Sequence, residues 1–459
     1  MGVEVKKNQQ QAHTPNSQDG HQPRLITLLG PAFVAAIAYV DPGNVAANLS
    51  AGAEYGYLLL WVLVLANLMA MLVQYLSAKL GLVTGRSLTS LVAESLGMPA
   101  RQQRGEEGRL QRRSEEDQRQ RRGEGDRLQR KQWQGARLLY WGQAEIVTAA
   151  TDVAEVIGGA TALYLLFGTP PLIGGVIVGV FSLALLALQN PQSQRRFEFV
   201  IMGFLAIITL GFLAGLFFTG LTVSEMASGI VPRFQGTPTV VLAASMLGAT
   251  VMPHAIYLHS GLVRDRGYQP HNDASMARHL TATRWDVTAA LVVAGSVNIG
   301  MLCLAAEALK GVDGTDSIEG AHRAVTDALG PMVGALFGIG LLASGLASTS
   351  VGCYAGDMVM KDLLKVRIPI LWRRFLTLLP ALLLLGMGAE PTWALIVSQV
   401  VLSLGIPFAL IPLVIFTARS AVMGQWANTR ALTAIAGVCC VIIIALNIAL
   451  VYLTSTGAA

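Results

Sequence analysis

The chain has 459 residues, of which 53% are hydrophobic and only 13% are charged. Soluble domains carry about 25% charged residues, so this composition excludes an ordinary soluble protein and predicts an all-α membrane protein with several spans. The formal net charge is +5. It requires no nucleic-acid partner, because basic residues also accumulate in the cytoplasmic loops of membrane proteins.

The N-terminal stretch 1–24 is polar and lacks the apolar core of a cleavable signal peptide. The first apolar run, 25–52, is interrupted by Asp41-Pro42-Gly43-Asn44. Proline removes a helical donor, so carbonyl groups beside the break lose their partners and become available to a ligand. This sequence predicts a cytoplasmic tail followed by a broken first span, which is also the targeting signal.

A polar segment, 101–135, follows the second span. Within it, Gly105–Arg113 is echoed by Gly123–Lys131 with a period of about 18 residues, or five helical turns. A transient solvated helix is compatible with this period, but the composition favours disorder. We interpret the segment as a cytoplasmic insertion whose arginines can contact anionic headgroups, and we assign it no role in transport.

The third span carries three carboxylates, Glu145, Asp152 and Glu155, on one helical face. Ionisable groups inside a span are functional candidates, and such a row is typical of a proton relay. Arg373 and Arg374, at the start of the ninth span, are the expected partners. The alternative is a static ion-pair network that stabilises the helix bundle.

A second broken span, 240–263, is interrupted between Gly248 and His254. Two broken spans in corresponding halves of a chain indicate a transporter's substrate site. Asp41 and Asn44 offer hard oxygen donors and the backbone near Ala249 offers a carbonyl, while Met252 adds a soft thioether. This mixture suits Mn²⁺, Fe²⁺ or a similar ion. Capping by the aspartate and gap filling by the methionine are the structural alternatives.

Two histidines and one glutamine complete the candidates. His254 lies next to the second break and is a candidate proton carrier, whereas His259 points about 140° away and is better explained as a buried, hydrogen-bonded residue. Gln399, in the tenth span, is a candidate late metal ligand. Interhelical hydrogen bonding is the favoured alternative for it, and we assign that role to Asn67, Gln74, Asn298 and Asn447.

The apolar pattern predicts about eleven spans. They are 25–52, 57–83, 138–167, 171–190, 197–220, 240–263, 285–309, 328–358, 368–388, 392–418 and 431–454. The Gly- and Ser-rich 328–358 segment is expected to be kinked or partly outside the membrane. With a cytoplasmic N-terminus, the only basic residues in outer loops are Arg233, Lys310 and Arg323, which favours this orientation. The cysteines, all within apolar stretches, are interpreted as packing residues. They are Cys303, Cys353, Cys439 and Cys440.

The motif Asp41-Pro42-Gly43-Asn44, together with Met252-Pro253-His254 and the following Ile256-Tyr257-Leu258-His259-Ser260, resembles the Nramp (bacterial MntH) family of divalent metal transporters. The resemblance covers about residues 25–455 except 101–135. It implies a LeuT-type fold in which 25–220 and 240–418 are inverted repeats and 431–454 is an additional span. It also implies proton-coupled uptake of Mn²⁺ and Fe²⁺ across the plasma (bacterial inner) membrane, with the C-terminus extracytoplasmic.

The resemblance assigns roles residue by residue. The metal ligands are expected to be Asp41, Asn44, the Ala249 carbonyl and Met252, with Gln399 joining in some states. The expected proton pathway comprises His254, Glu155, Asp152, Glu145, Arg373 and Arg374. Two departures are visible: Ala255 stands where many members have Asn, and the 101–135 insertion has no family counterpart. Relatives that carry Mg²⁺ lack the methionine, so Met252 argues against that subfamily.

Two other functions compete with this hypothesis. A Na⁺-coupled carrier of organic substrates on the same fold needs no thioether, and a metal sensor binds without transporting. Sensor relatives add a large soluble domain after the spans, whereas this chain ends at Ala459. We expect no enzymatic activity, no resident cofactor and no obligate protein partner; the partners are divalent metal ions, protons and the lipid bilayer.

Overall fold

The computed structural model describes residues 30–97, 124–187, 194–266, 272–315, 317–364 and 369–456. Throughout these ranges the regular elements are helices, which confirms the all-α prediction. The tail 1–24 lies outside the described residues. Four 3₁₀ turns are Ile37–Val40, Gly56–Leu59, Ala214–Phe217 and Gly424–Trp426. The α-helices are α1 (Pro31–Ala36), α2 (Pro42–Tyr55), α3 (Leu60–Thr84), α4 (Leu88–Ser95), α5 (Glu124–Phe167), α6 (Pro171–Ala187), α7 (Gln194–Leu213), α8 (Val223–Gly229), α9 (Gly236–Thr250), α10 (Pro253–Asp265), α11 (Asp273–Ala308), α12 (Ile318–Leu329), α13 (Pro331–Leu364), α14 (Ile370–Gly386), α15 (Pro391–Ala418), α16 (Ser420–Met423) and α17 (Arg430–Ser455).

Eight helical stretches among the described residues are long and apolar enough to cross a membrane. Pro31–Val40 and Pro171–Leu185 are shorter apolar helices. The predicted number of about eleven spans therefore stays a prediction. Large apolar side chains stay exposed on the outer helices, for example Leu139, Phe199 and Val441, which is the pattern expected of a surface that faces lipid.

The structure differs from the prediction at the start of one helix and in the continuity of another. Helix α5 begins at Glu124, so residues 124–135 of the predicted disordered insertion are helical and lead directly into the third span. Residues 101–123 lie outside the described residues. Helix α13 runs unbroken from Pro331 to Leu364, so the glycines and serines that suggested a kink are accommodated within one helix.

The bundle packs most closely where small residues let helices approach. Helix α5 lies along α13, and a side chain on Gly345 would meet the backbone of Gly159. Pro42 sits against Gly158 of α5, where a methyl group would overlap its ring. The four cysteines have free thiols, and three of them are buried, in keeping with a packing role. The contact between Pro42 and Gly158 packs the first broken helix directly against α5.

Candidate metal site

The first break lies between α1 and α2. The 3₁₀ turn Ile37–Val40 ends at Asp41, whose backbone is extended (φ −77°, ψ 167°), and α2 starts at Pro42. Proline has no N–H, so the Ala38 carbonyl loses the donor that a continuous helix would supply. Asp41 caps the resumed helix, because its Oδ1 accepts a hydrogen bond of 2.9 Å from the Asn44 backbone N–H. The capping alternative for Asp41 is therefore correct, and it leaves Oδ2 for a further partner.

The second break lies between α9 and α10. Helix α9 ends at Thr250 and α10 starts at Pro253, with Met252 extended at the N-cap position (φ −85°, ψ 128°). The Ala249 carbonyl would bond the N–H of residue 253 in a continuous helix, and proline cannot donate it. The Ala249 carbonyl therefore has no helical donor at this position, and Met252, three residues later, is fully buried.

Asn44 joins the two breaks. Its Nδ2 donates to Asp41 Oδ1 at 2.6 Å and to the Ala249 carbonyl at 2.9 Å. The Oδ1 atom of Asn44 is buried without a hydrogen-bond partner among the described residues. The structure thus brings Asp41, Asn44 and Ala249 together, although Asn44 and Ala249 are 205 residues apart in the chain.

Gln399 approaches the same carboxylate from α15. Its Nε2 lies 3.5 Å from Asp41 Oδ2, and its Oε1 is buried with no hydrogen-bond partner within the described part of the chain. A buried acceptor without a donor costs about 1–3 kcal/mol, so two such oxygens beside one carboxylate fit a cation as the missing partner. No cluster of three His, Cys, Asp or Glu side chains suited to a metal occurs among the described residues. The candidate donors are instead mixed, with a single carboxylate.

The carboxylates of α5 meet the arginines of α14 as predicted. Arg373 Nη2 lies 2.8 Å from Glu145 Oε1, and Arg374 Nη1 lies 2.5 Å from Asp152 Oδ1. Glu155 is fully buried, and neither of its carboxylate oxygens has a hydrogen-bond partner in the described ranges. Two members of the row are therefore ion-paired, and the third is not.

The two histidines have different surroundings. His254 lies in the first turn of α10 with Nδ1 3.4 Å from Thr151 Oγ1 of α5, and its Nε2 has no partner among the described residues. His259 Nδ1 lies 2.7 Å from Gln74 Oε1, and Gln74 Nε2 donates to the Tyr39 hydroxyl at 2.7 Å. His259 is thus hydrogen-bonded, as the structural interpretation expects, whereas His254 keeps a free ring nitrogen.

Two polar residues that support the first break, Asn48 and Ser344, were not identified from the sequence, and Asn298 was given only a general role in hydrogen bonding. Asn298 Nδ2 donates to the Tyr39 carbonyl at 2.8 Å, and Asn48 Nδ2 donates to Asn298 Oδ1 at 3.0 Å. Ser344 Oγ donates to the Val40 carbonyl. The bonds to Tyr39 and Val40 satisfy backbone carbonyls beside the first break, and Asn48 holds the Asn298 side chain in place. Asn48 carries a recognisable signal, since it lies one helical turn after Asn44, but nothing local marks Ser344.

A family model described as "Natural resistance-associated macrophage protein-like" matches residues 32–102 and 126–453. The chain belongs to this family. The gap between the matched ranges falls within the segment predicted to be an insertion. This Nramp chain is 53% identical over 430 residues to the divalent metal cation transporter MntH of Mycobacterium tuberculosis, covering 94% of this chain and 92% of the relative.

Solved structures agree with the assignment. The Eremococcus coleocola manganese transporter, in complex with an aromatic bis-isothiourea compound, superposes with a TM-score of 0.79 at 27% identity, covering 94% of this Nramp chain and 88% of that one. The nucleobase-cation-symport-1 transporter Mhp1 superposes with a TM-score of 0.55 at 13% identity, covering 93% and 91%. The second likeness shows the shared fold alone. The prediction of a LeuT-type transporter fold is confirmed.

Proposed function

We propose that this Nramp chain imports divalent transition-metal ions, such as Mn²⁺ and Fe²⁺, together with protons by alternating access. One observation carries the proposal. Asn44 bonds both the Asp41 carboxylate and the Ala249 carbonyl, and its own carboxamide oxygen is buried with no donor among the residues that the structure describes. The names of the relatives, a divalent metal cation transporter and a manganese transporter, support the same substrate class.

The proposed ligands are Asp41, Asn44, the Ala249 carbonyl and Met252, with Gln399 joining as the site closes. Oxygen donors alone would equally suit Ca²⁺ or Mg²⁺, but the Met252 thioether favours softer transition metals. A single carboxylate keeps the affinity modest, because one anionic ligand offsets only half of the charge of the ion. Modest affinity allows the transported ion to leave on the other side.

The proposed proton pathway starts at His254 and Glu155 and continues through Asp152 and Glu145, which pair with Arg374 and Arg373. An arriving +2 ion favours the loss of a nearby proton. Glu155 is the residue best placed to exchange a proton, since both of its oxygens are free of hydrogen bonds within the described residues. The arginine-paired carboxylates provide the continuation toward the N-terminal half of α5.

We further propose that the chain is an integral protein of the plasma (bacterial inner) membrane with its N-terminus cytoplasmic and C-terminus extracytoplasmic. The distribution of Lys and Arg supports this orientation. Its family consists of transporters, and we propose no enzymatic activity, resident cofactor or obligate protein partner.

Reconstitution into proteoliposomes tests the function. The purified full chain should admit Mn²⁺, acidify the lumen as it does so, and respond to an imposed proton gradient. A Na⁺ gradient that drives uptake when the proton gradient does not would favour the organic-substrate carrier. Mn²⁺ binding without any entry into the vesicles would favour a sensor, and the absence of Mn²⁺ binding would overturn the proposal.

A further inference from the structure

Each break contains a glycine that lies against a side chain of α15. A methyl group added to Gly43 would overlap the Gln399 carboxamide. A methyl group added to Gly248 would lie 2.7 Å from Ser403 Oγ, closer than ordinary carbon–oxygen contacts allow. The two positions flank the candidate ligands, since Gly43 lies between Asp41 and Asn44 in the chain.

The two contacting side chains belong to one face of α15. Gln399 and Ser403 are four residues apart, or about one helical turn. Ser403 Oγ donates to the Gln399 backbone carbonyl at 2.9 Å, which fixes the direction of the hydroxyl group. Both side chains are buried. A single turn of α15 therefore contacts the first break and the second break at the same time.

From this arrangement we infer that Ser403 is a positioning residue for the metal site and that Gly248 is the surface it packs on. The inference rests on the proposed function, because it assigns a role toward the proposed ligands. Among the proposed ligands, Ser403 is hydrogen-bonded to the backbone carbonyl of Gln399. It acts on Ala249, the residue after Gly248, and so fixes where the Ala249 carbonyl lies relative to Asn44.

The contact between Ser403 and Gly248 matters because a metal site tolerates only small changes in the distances to its ligands. Ligand distances in metal sites vary by only about 0.2 Å. A side chain at residue 248 has to displace the Ser403 hydroxyl or α9, and the space on the other side is limited because Asn447 Oδ1 of α17 lies 3.2 Å from the same added methyl group. Displacing α9 moves the Ala249 carbonyl, whose bond to Asn44 is 2.9 Å in the structure.

Compensating substitutions give the sharpest test. Gly248→Ala should weaken Mn²⁺ binding by about tenfold or more, because overpacking forces the backbone to shift. Ser403→Ala should weaken it only by about threefold, since it loosens the same contact. The double variant should recover most of the affinity lost by Gly248→Ala, because the added methyl group would then lie 3.9 Å from the Cβ of residue 403 and only the 3.2 Å contact with Asn447 Oδ1 would remain tight.

Calorimetric Mn²⁺ binding to the full chain in detergent measures these affinities, with the metal-free melting temperature recorded for each variant. Gly437→Ala on α17 is the matched control, since nothing in the described structure lies within 4 Å of its added methyl group. It should bind like the unmodified chain. A merely structural role for Ser403 predicts that melting temperature and affinity fall together, whereas positioning predicts weaker binding at an unchanged melting temperature.

Ser403→Cys provides a second route if Gly248→Ala does not fold. Its sulfur is larger than the serine oxygen and presses on Gly248 without any substitution in α9. We expect it to weaken Mn²⁺ binding by more than Ser403→Ala does and by less than Gly248→Ala does. Unchanged binding in this variant overturns the inference, as does a double variant no better than Gly248→Ala. If the unmodified chain binds no Mn²⁺, the proposed function fails instead, and the two failures are thus distinguishable.

Discussion

Two polar regions are buried in this bundle, and they differ in how their charges are balanced. Between α5 and α14, Arg373 and Arg374 each pair with a carboxylate. At the two breaks, Asp41 has only amide donors around it, and no basic side chain among the described residues pairs with it. In the first region each arginine is matched by a carboxylate, and Glu155 alone of the α5 row has no ion-pair partner among the described residues. The second has a surplus of acceptors, which is the property expected of a site that takes its cation from solution.

The comparison predicts that substitutions in the ion-paired region lower the stability of the folded protein. Arg374→Ala should destabilise the protein by about 3–5 kcal/mol, because it leaves the fully buried Asp152 without its partner. The measurement is the yield and melting temperature of purified protein in detergent. Adding Asp152→Asn should restore part of the loss, since it removes the unpaired charge. Normal stability in the single variant would show that water or another group already compensates Asp152.

Substitutions in the candidate metal site should instead reduce Mn²⁺ uptake and leave the stability of the fold unchanged. Asp41→Asn should reduce Mn²⁺ uptake by about 100-fold, equivalent to about 3 kcal/mol, because it removes the only carboxylate among the proposed ligands. Asparagine is as good a helix N-cap as aspartate, so α2 should keep its start at Pro42. Uptake into proteoliposomes and the metal-free melting temperature separate the two effects. Uptake within tenfold of the unmodified chain would contradict the proposed role of Asp41.

The thioether should affect the choice of ion more than the rate of transport. Met252→Ala should lower discrimination between Mn²⁺ and Ca²⁺ by about tenfold, because only the softer ion gains from sulfur. Competition of Ca²⁺ with Mn²⁺ uptake measures this ratio. Met301→Ala is a matched control, since Met301 is also fully buried and belongs to the same apolar cluster. Equal Ca²⁺ rejection by both variants and the unmodified chain would end the selectivity argument.

The sequence indicates this site well because the chemistry is local. Each break is marked by a proline next to polar or soft ligands, so Asp41, Asn44 and Met252 can be singled out without coordinates. The arginine partners also follow from charge, since buried carboxylates need cations. The LeuT-type fold comes from the resemblance of these motifs to a known family, and the apolar pattern alone yields only a count of spans.

What the sequence does not reveal depends on contacts between distant helices. Nothing near Ser403 shows that it packs on Gly248, and nothing near Ser344 shows that it donates to Val40. Composition also misjudged the start of α5, because a polar segment joined to a long apolar helix can extend that helix although it buries no core of its own. The helix therefore begins at Glu124, before the predicted start of the third span at residue 138.

An ion pair at the edge of the bundle gives the smallest expected effect and completes the comparison. Lys361 Nζ lies 2.5 Å from Asp357 Oδ2, one turn earlier on α13, but the lysine side chain is 51% exposed. Lys361→Ala should change stability by about 1 kcal/mol, because water already screens the exposed lysine end of the pair, although the Asp357 side chain is only 8% exposed. Melting temperatures of this variant and Arg374→Ala, measured side by side, isolate burial of the cation as the variable, since both substitutions remove a cation from a largely buried carboxylate. If the two variants lose similar stability, burial is not what makes the α5–α14 pairs important, and the contrast between balanced and unbalanced buried regions loses its physical basis.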